Sequence, residues 1–269
     1  MPNLKVSIVQ SALHWHDPER NLAGFTKLIA QENAGTDLIV LPEMFTTGFT
    51  MHARDYAERM DGRTLSWMAR EAENSDAALC GSLIIEDDGH YYNRFVLMHP
   101  DGNFEHYDKR HCFRLAGEHE HYAPGSRLAT MTLNGWRIRP MICYDLRFPV
   151  WSRNHDDYDL LIYTANWPAR RHLAWETLIR ARAIENLAYV AAVNRIGTDG
   201  NDIPYDGGSS VIDFLGNYVV APSGDAGVST ATLDKSELDA FRDRFPFHLD
   251  ADPFRLDDPD AERSRTGSG

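Results

Sequence analysis

The sequence predicts an α/β protein whose mixed β-sheets are covered by helices. Short runs rich in β-branched residues alternate with stretches of helical periodicity. Two of those runs flank Asp88-Gly89, a hairpin signal. A purely parallel, doubly wound sheet has no place for hairpins, so mixed sheets are expected. At 269 residues, 43% hydrophobic and 11% aromatic, the chain can fill the interior that such layers enclose.

LKVSIVQ (4–10) reads as the first strand, on its β-branched residues, and NLAGFTKLIAQEN (21–33) as an amphipathic helix. TDLIVLPE (36–43) is a buried strand ending on a carboxylate. TLSWMAREAEN (64–74) is helical, and AALCGSLIIED (77–87) and YYNRFVLMHPDG (91–102) are the arms of the hairpin. RIRPMICYD (137–145) is a strand running into a short helical turn that starts near Leu146. DLLIYTANW (159–167) is a further strand. HLAWETLIRARAIENLA (172–188) is the clearest helix, with apolar residues at spacings of three and four. YVAAVNRIG (189–197) and GGSSVIDFLG (207–216) are strands, the second closing in a glycine turn, and KSELDAFRDRF (235–245) is a last helix.

No Pro/Gly/Ser-rich linker and no internal repeat divides this series, so residues 1–245 read as one domain and 246–269 as a polar tail with a mobile end. A net charge of −13 without a basic stripe or polybasic end argues against a nucleic-acid or membrane-surface partner. No apolar stretch reaches the length of a membrane span, and MPNLKVSIVQSALHW lacks the pattern of a signal peptide; a cytoplasmic location is expected. Three cysteines, an odd and sparse set, make no disulfide framework. Cys80 reads as core. Cys112, close to Lys109, either packs or lines a pocket wall.

Three extended segments end on reactive groups: Glu43 closes DLIVLPE, Lys109 follows NFEHYD, and Cys143 closes RPMIC. In layered α/β proteins ligands sit at the carboxyl ends of strands. A thiol nucleophile needs a base to take its proton and a cation or dipole to favour the thiolate. Glu43 suits the first task and Lys109 the second, and a helical turn after Cys143 would lower its pKa. Each signal alone has a plainer reading, since strand-end cysteines are mostly buried packing residues and such a lysine is mostly a surface charge.

The whole set, however, resembles the nitrilase superfamily of carbon–nitrogen hydrolases. LPEMFTTGF (41–49) is similar to that family's glutamate motif, YDKRH (107–111) to its lysine motif and MICYDLRFP (141–149) to its cysteine motif, in the same order. ANWPARR (165–171), RARAIENLAYV (180–190), NRIGTDG (194–200) and YDGGSSVIDFLG (205–216) resemble its later blocks, so the likeness runs to about residue 235. It implies a four-layer αββα sandwich, two mixed β-sheets face to face with helices outside, and a homodimer or higher homo-oligomer built through helices. It implies no metal and no organic cofactor.

By the same resemblance, Cys143 attacks an amide carbonyl and forms a thioester, Glu43 is the general base, and Lys109 with the backbone N–H of Tyr144 stabilises the oxyanion. A second active-site glutamate falls on Glu118 in GEHEHYAPG, with Glu120 the competing choice. His111, His119 and His121 lie close enough in sequence to raise a metal site, His119 and His121 pointing to one side of an extended segment; a polar loop over the site is the better reading of the spacing. LPEMFTTGF, CYDLRFP and ANWP are most similar to the ω-amidase branch, whose substrates are 2-oxoglutaramate and 2-oxosuccinamate. Such a substrate needs a cation for its far carboxylate. Arg147 either meets it with a bidentate fork or serves the local structure, through an ion pair with Asp145 or a helix-dipole contact. Trp167 and Phe45 either wall the pocket or pack in the core. Another carbon–nitrogen hydrolase, acting on N-carbamoyl amines or deaminated glutathione, and a non-enzymatic binding protein on the same fold remain the alternatives.

Overall fold

The computed structural model describes residues 3–31, 35–155 and 157–256. The first part of the chain forms β1 (Leu4–Gln10), α1 (Pro18–Gln31), β2 (Leu38–Val40), α2 (Ala53–Tyr56), α3 (Arg63–Ser75), β3 (Ala78–Asp87), β4 (His90–Met98) and β5 (Phe104–Asp108). The second part forms α4 (Glu118–His121), β6 (Met131–Leu133), β7 (Trp136–Ile142), α5 (Pro149–Ser152), β8 (Leu160–Thr164), α6 (His172–Asn186), β9 (Tyr189–Val193), β10 (Ile196–Thr198), β11 (Pro204–Asp206), β12 (Ser210–Ile212) and β13 (Tyr218–Val220). The chain then returns as β14 (Gly227–Leu233) and α7 (Lys235–Arg244).

One six-stranded sheet has the order β14-β1-β2-β3-β4-β5 and the other β13-β12-β9-β8-β7-β6. Each is built around a parallel triplet, β1-β2-β3 and β7-β8-β9, flanked by antiparallel strands. The two halves thus share one plan without a repeated sequence. Strand side chains alternate between faces. Val6, Ile8, Val40, Phe95 and Leu97 turn one way and join Ile138, Leu160 and Ile162 of the second sheet in a single core, where Cys80 also lies. Val9, Ile39, Leu79 and Val96 turn the other way, against Leu22, Phe25 and Ile29 of α1 and Leu65, Met68 and Ala72 of α3. Trp175, Ile179 and Ala183 of α6 and Leu238 of α7 cover the second sheet. This is the four-layer αββα sandwich, and its sheets are mixed.

The Asp88-Gly89 signal is a two-residue turn between paired Asp87 and His90, with φ of 52° and 75°, the left-handed pair that a tight hairpin needs. Several elements differ from expectation for local reasons. Helix α1 starts at Pro18 rather than 21, because proline's fixed φ suits a first helical turn. The expected end of that helix, 32–33, lies outside the described residues. Strand β2 stops well before Glu43: Leu41 makes one more bond to the Cys80 carbonyl, and Pro42 has no N–H to continue. Only Ser210–Ile212 of segment 207–216 pairs as a strand, since Gly207 and Gly208 turn the chain with φ of 76° and 81°. Strand β14, GVSTATL, has too little apolar alternation to be read from sequence. It forms because β1 offers it a seven-residue antiparallel partner. After α7 the chain makes a 3-10 turn at Phe247–Asp250, and the tail end expected to be mobile, from 257 on, lies outside the described residues. No helix among the described residues is long and apolar enough to cross a membrane.

Ile162 is fully buried between the sheets, so Ile162→Ala should cost about 2–5 kcal/mol in urea denaturation, through lost transfer energy and the cavity left behind.

Candidate active site

Glu43 leaves the end of β2 in the first sheet, and Asn166 leaves the end of β8 in the second. Asn166 clamps Glu43 from across the gap: its N–H donates to Glu43 Oε2 at 2.8 Å and its Nδ2 to the Glu43 carbonyl at 2.6 Å. Lys109 follows β5, its N–H tied to the Asn93 carbonyl at 3.0 Å. Its ammonium donates to Glu43 Oε1 at 2.9 Å and to both Glu118 oxygens at 2.9 and 3.0 Å. Asn93 Nδ2 adds a bond to Glu43 Oε1 at 2.8 Å, and the Phe113 N–H donates to Glu118. Glu43 and Glu118 are wholly buried and Lys109 is 1% exposed. Of the two candidate glutamates, Glu118 enters this cluster, whereas Glu120 faces solvent.

Cys143 begins a 3-10 turn, Cys143–Arg147, at φ 42°, a left-handed conformation that a non-glycine residue adopts at a cost of order 1 kcal/mol or more. The turn thus starts at the cysteine itself, three residues earlier than read from sequence. Asp145 holds it in place. This buried carboxylate accepts from the N–H groups of Ile142 and His111 at 3.1 and 3.0 Å and from Tyr107 Oη at 2.8 Å, and it lies 2.7 Å from His111 Nδ1. Its partners leave no place for the Asp145–Arg147 ion pair. Tyr144, second in the turn, has no carbonyl within the turn for its N–H to bond.

The electrostatics differ from the sequence expectation. Burial raises the Cys143 thiol well above the ordinary thiol range; Glu43 adds to the rise, Lys109 opposes it, and Glu118 adds again. A five-residue turn has too weak a dipole to reverse that. Cys143 therefore rests as a thiol. Burial works against the Lys109 ammonium, but Glu118, Glu43 and Cys143 outweigh it and hold its pKa well above that of an ordinary lysine. Burial raises the Glu118 carboxyl, Lys109 pulls it down and Glu43 pushes it up, with a net rise.

Lys109 and Cys143 lie at a cavity of about 360 Å³ whose wall includes Phe49, Phe113, Tyr144, Arg147, Asn166, Trp167 and Tyr205. Trp167 belongs to that wall, and its ring carries the Arg147 guanidinium at 4.9 Å. Phe45 does not: it lies in the helix–sheet core against Phe25 and Trp67, over Gly81, where an added Cβ would come within 2.9 Å of its ring. The chain turns at Met44, φ 42°, so it is Phe49 that reaches the site, 5.1 Å from Lys109 Nζ. Cys112 packs beside Met44 and Tyr122, and burial pushes its thiol up to about 12. His119 and His121 lie on the short helix α4, where residues two apart point to opposite sides, and His111 is stacked on Phe148 at 3.8 Å. The three do not converge.

Sequence reasoning missed Asn93, Asn166, Asp145 and Phe49. Asn93 carried a signal, a lone amide within the apolar strand YYNRFVLM; the others sat inside quoted motifs with nothing local to separate them from neighbours. Because the thiol pKa is raised, site-resolved iodoacetamide labelling of Cys143 should keep climbing from about pH 7 to about pH 10, where an activated thiolate levels off below about pH 8.

The sequence model of the carbon–nitrogen hydrolase family matches residues 5–243. The omega-amidase YafV of Escherichia coli K12 is 46% identical over 259 residues, spanning 95% of this chain and all of that protein. The 2-oxoglutaramate amidase of Bacillus subtilis is 31% identical, over 90% of this chain and 95% of its own. Among solved structures, XC1258 from Xanthomonas campestris, a CN-hydrolase superfamily protein with an arsenic adduct in its active site, superposes with a TM-score of 0.93 at 45% identity, covering 96% of this chain and all of that one. With the family matched along nearly its whole length and the layered fold shared, the chain belongs to the carbon–nitrogen hydrolase family and is a hydrolase acting on amides.

Proposed function

We propose that this hydrolase is an ω-amidase, releasing ammonia from the terminal amide of 2-oxo dicarboxylate monoamides such as 2-oxoglutaramate and 2-oxosuccinamate. The observation that carries the reading is the buried Lys109 ammonium bound to both Glu43 and Glu118 beside Cys143, at a cavity whose wall is cationic. Likeness to an omega-amidase and a 2-oxoglutaramate amidase supports the substrate class.

In the first half-reaction Glu43 takes the proton of the Cys143 thiol as Sγ attacks the amide carbonyl carbon. This suits a thiol that is protonated at rest. The oxyanion is met by the Lys109 ammonium and the Tyr144 N–H, each worth about 3–4 kcal/mol in such sites. The C–N bond then breaks, Glu43 protonates the leaving nitrogen, and ammonia departs from a thioester. Glu43 next deprotonates a water that attacks the thioester; the C–S bond breaks and the proton returns to sulfur, freeing the acid. Glu118 keeps Lys109 charged and in place. Trp167 and Arg147 border the substrate's far end.

A homodimer fits the surface. Leu173 and Ile184 are exposed on α6, eleven residues and three turns apart and so on one face, and Leu215 is exposed next to Gly216, whose backbone lies against the Ile184 side chain. Sedimentation should give a mass of two chains or a multiple, and Leu173→Glu should lower it.

Ammonia release from a panel of 2-oxoglutaramate, aliphatic amides and N-carbamoyl amines tests the reaction. The first substrate should dominate, and Cys143→Ala should abolish turnover. Glu43→Gln should cut kcat by about a hundred- to ten-thousandfold, and chelators should have no effect. Preference for carbamoyl amines would overturn the branch.

A further inference from the structure

Three arginines, Arg147, Arg170 and Arg171, border the same cavity, and none is paired with a carboxylate among the described residues. Shortage of acid is not the reason, because the chain has 40 Asp and Glu against 27 Lys and Arg. The acids nearby are committed elsewhere. Asp199, on the cavity wall, accepts from the N–H groups of Asn201 and Ile203 at 2.8 and 3.1 Å and from Tyr205 Oη at 2.9 Å. Asp206 faces His172 at 3.1 Å, and Glu43 and Glu118 both hold Lys109. Unneutralised cations at a cavity call for an anion from outside.

The three are not equivalent. Arg147 and Arg170 are exposed, and a charge at a wet rim contributes little to affinity. Arg171 is half-buried. Its guanidinium lies over the Phe113 ring at 5.0 Å, and its backbone closes a 3-10 turn, Ala169–Arg171, pinned by Trp167 Nε1 donating to its carbonyl at 2.8 Å. Burial, then the charges of Arg170 and Arg147, lower its pKa, while Cys143 pulls the other way from across the cavity. That is the signature of a cation held without its counter-ion.

We infer that Arg171, rather than Arg147, is the principal anchor of the substrate's distal carboxylate, which it grips with a fork that its aromatic and backbone contacts have already oriented. Arg147 acts from the rim. The inference rests on the ω-amidase reading and names the residue that selects the charged end of the substrate.

The test compares kcat/KM for 2-oxoglutaramate with that for 4-oxopentanamide, in which a methyl group replaces the carboxylate. Arg171→Gln should lower the ratio between the two by at least about tenfold, mainly through KM for the charged substrate, and Arg147→Gln by less than about threefold. Arg171→Lys, with the charge but not the fork, should fall between. If Arg171→Gln slows both substrates by the same factor, the residue only supports the Phe113 loop and the inference is overturned. Equal or larger loss of selectivity in Arg147→Gln also overturns it. Wild-type enzyme inert on 2-oxoglutaramate overturns the proposed function and this inference with it.

Discussion

Lys109 places its ammonium between two carboxylates that water does not reach, and much of the molecule is arranged around that contact. A buried carboxylate stays ionised only with a close cation or several donors, and removing one partner of such a group costs about 3–5 kcal/mol. Glu43 follows the first sheet's β2, Lys109 follows its β5, and Glu118 opens helix α4. The donors that complete their shells are Asn93 on β4 and Asn166 from the second sheet. The cluster therefore forms only when both sheets are folded and face to face. It links the stability of the sandwich to the competence of the site.

The same charges act on the Cys143 thiol. Burial comes first in disfavouring the Cys143 thiolate, and two carboxylates that outnumber one ammonium beside it, out of water's reach, add to the effect. The arrangement suits a reaction in which proton removal and attack are coupled, with Lys109 free to stabilise charge that moves onto oxygen. Asp145 has a purely mechanical part. By tying β7, the Lys109 loop and Tyr107 to one carboxylate, it holds a cysteine at positive φ that would otherwise relax.

Legibility followed the range of the interactions involved. The hairpin at Asp88-Gly89, helix α6 and the apolar strands were readable because propensity and periodicity act over a few residues. Strand β14 was not, because its pairing partner lies more than 200 residues away and its own sequence is half polar. Glu43, Lys109 and Cys143 stood out at the ends of extended segments, and the family motifs selected Glu118. Asn166 was in view within ANWPARR, yet its bond to Glu43 spans 123 residues and nothing local announces it.

The sequence by itself determined the inventory: the layered α/β class, the order of the reactive groups and an acidic chain with cations in its later motifs. Tertiary structure alone decided which of two equivalent-looking residues serves the site. The left-handed turn at Met44 sends Phe45 into the core and Phe49 to the cavity, and packing of the 3-10 turn before α6 half-buries Arg171 while Arg147 stays at the rim. Burial decided in the same way that the Cys143 thiol is raised rather than lowered. These outcomes depend on surroundings assembled from distant segments, and a residue's type and neighbours in sequence carry no record of them.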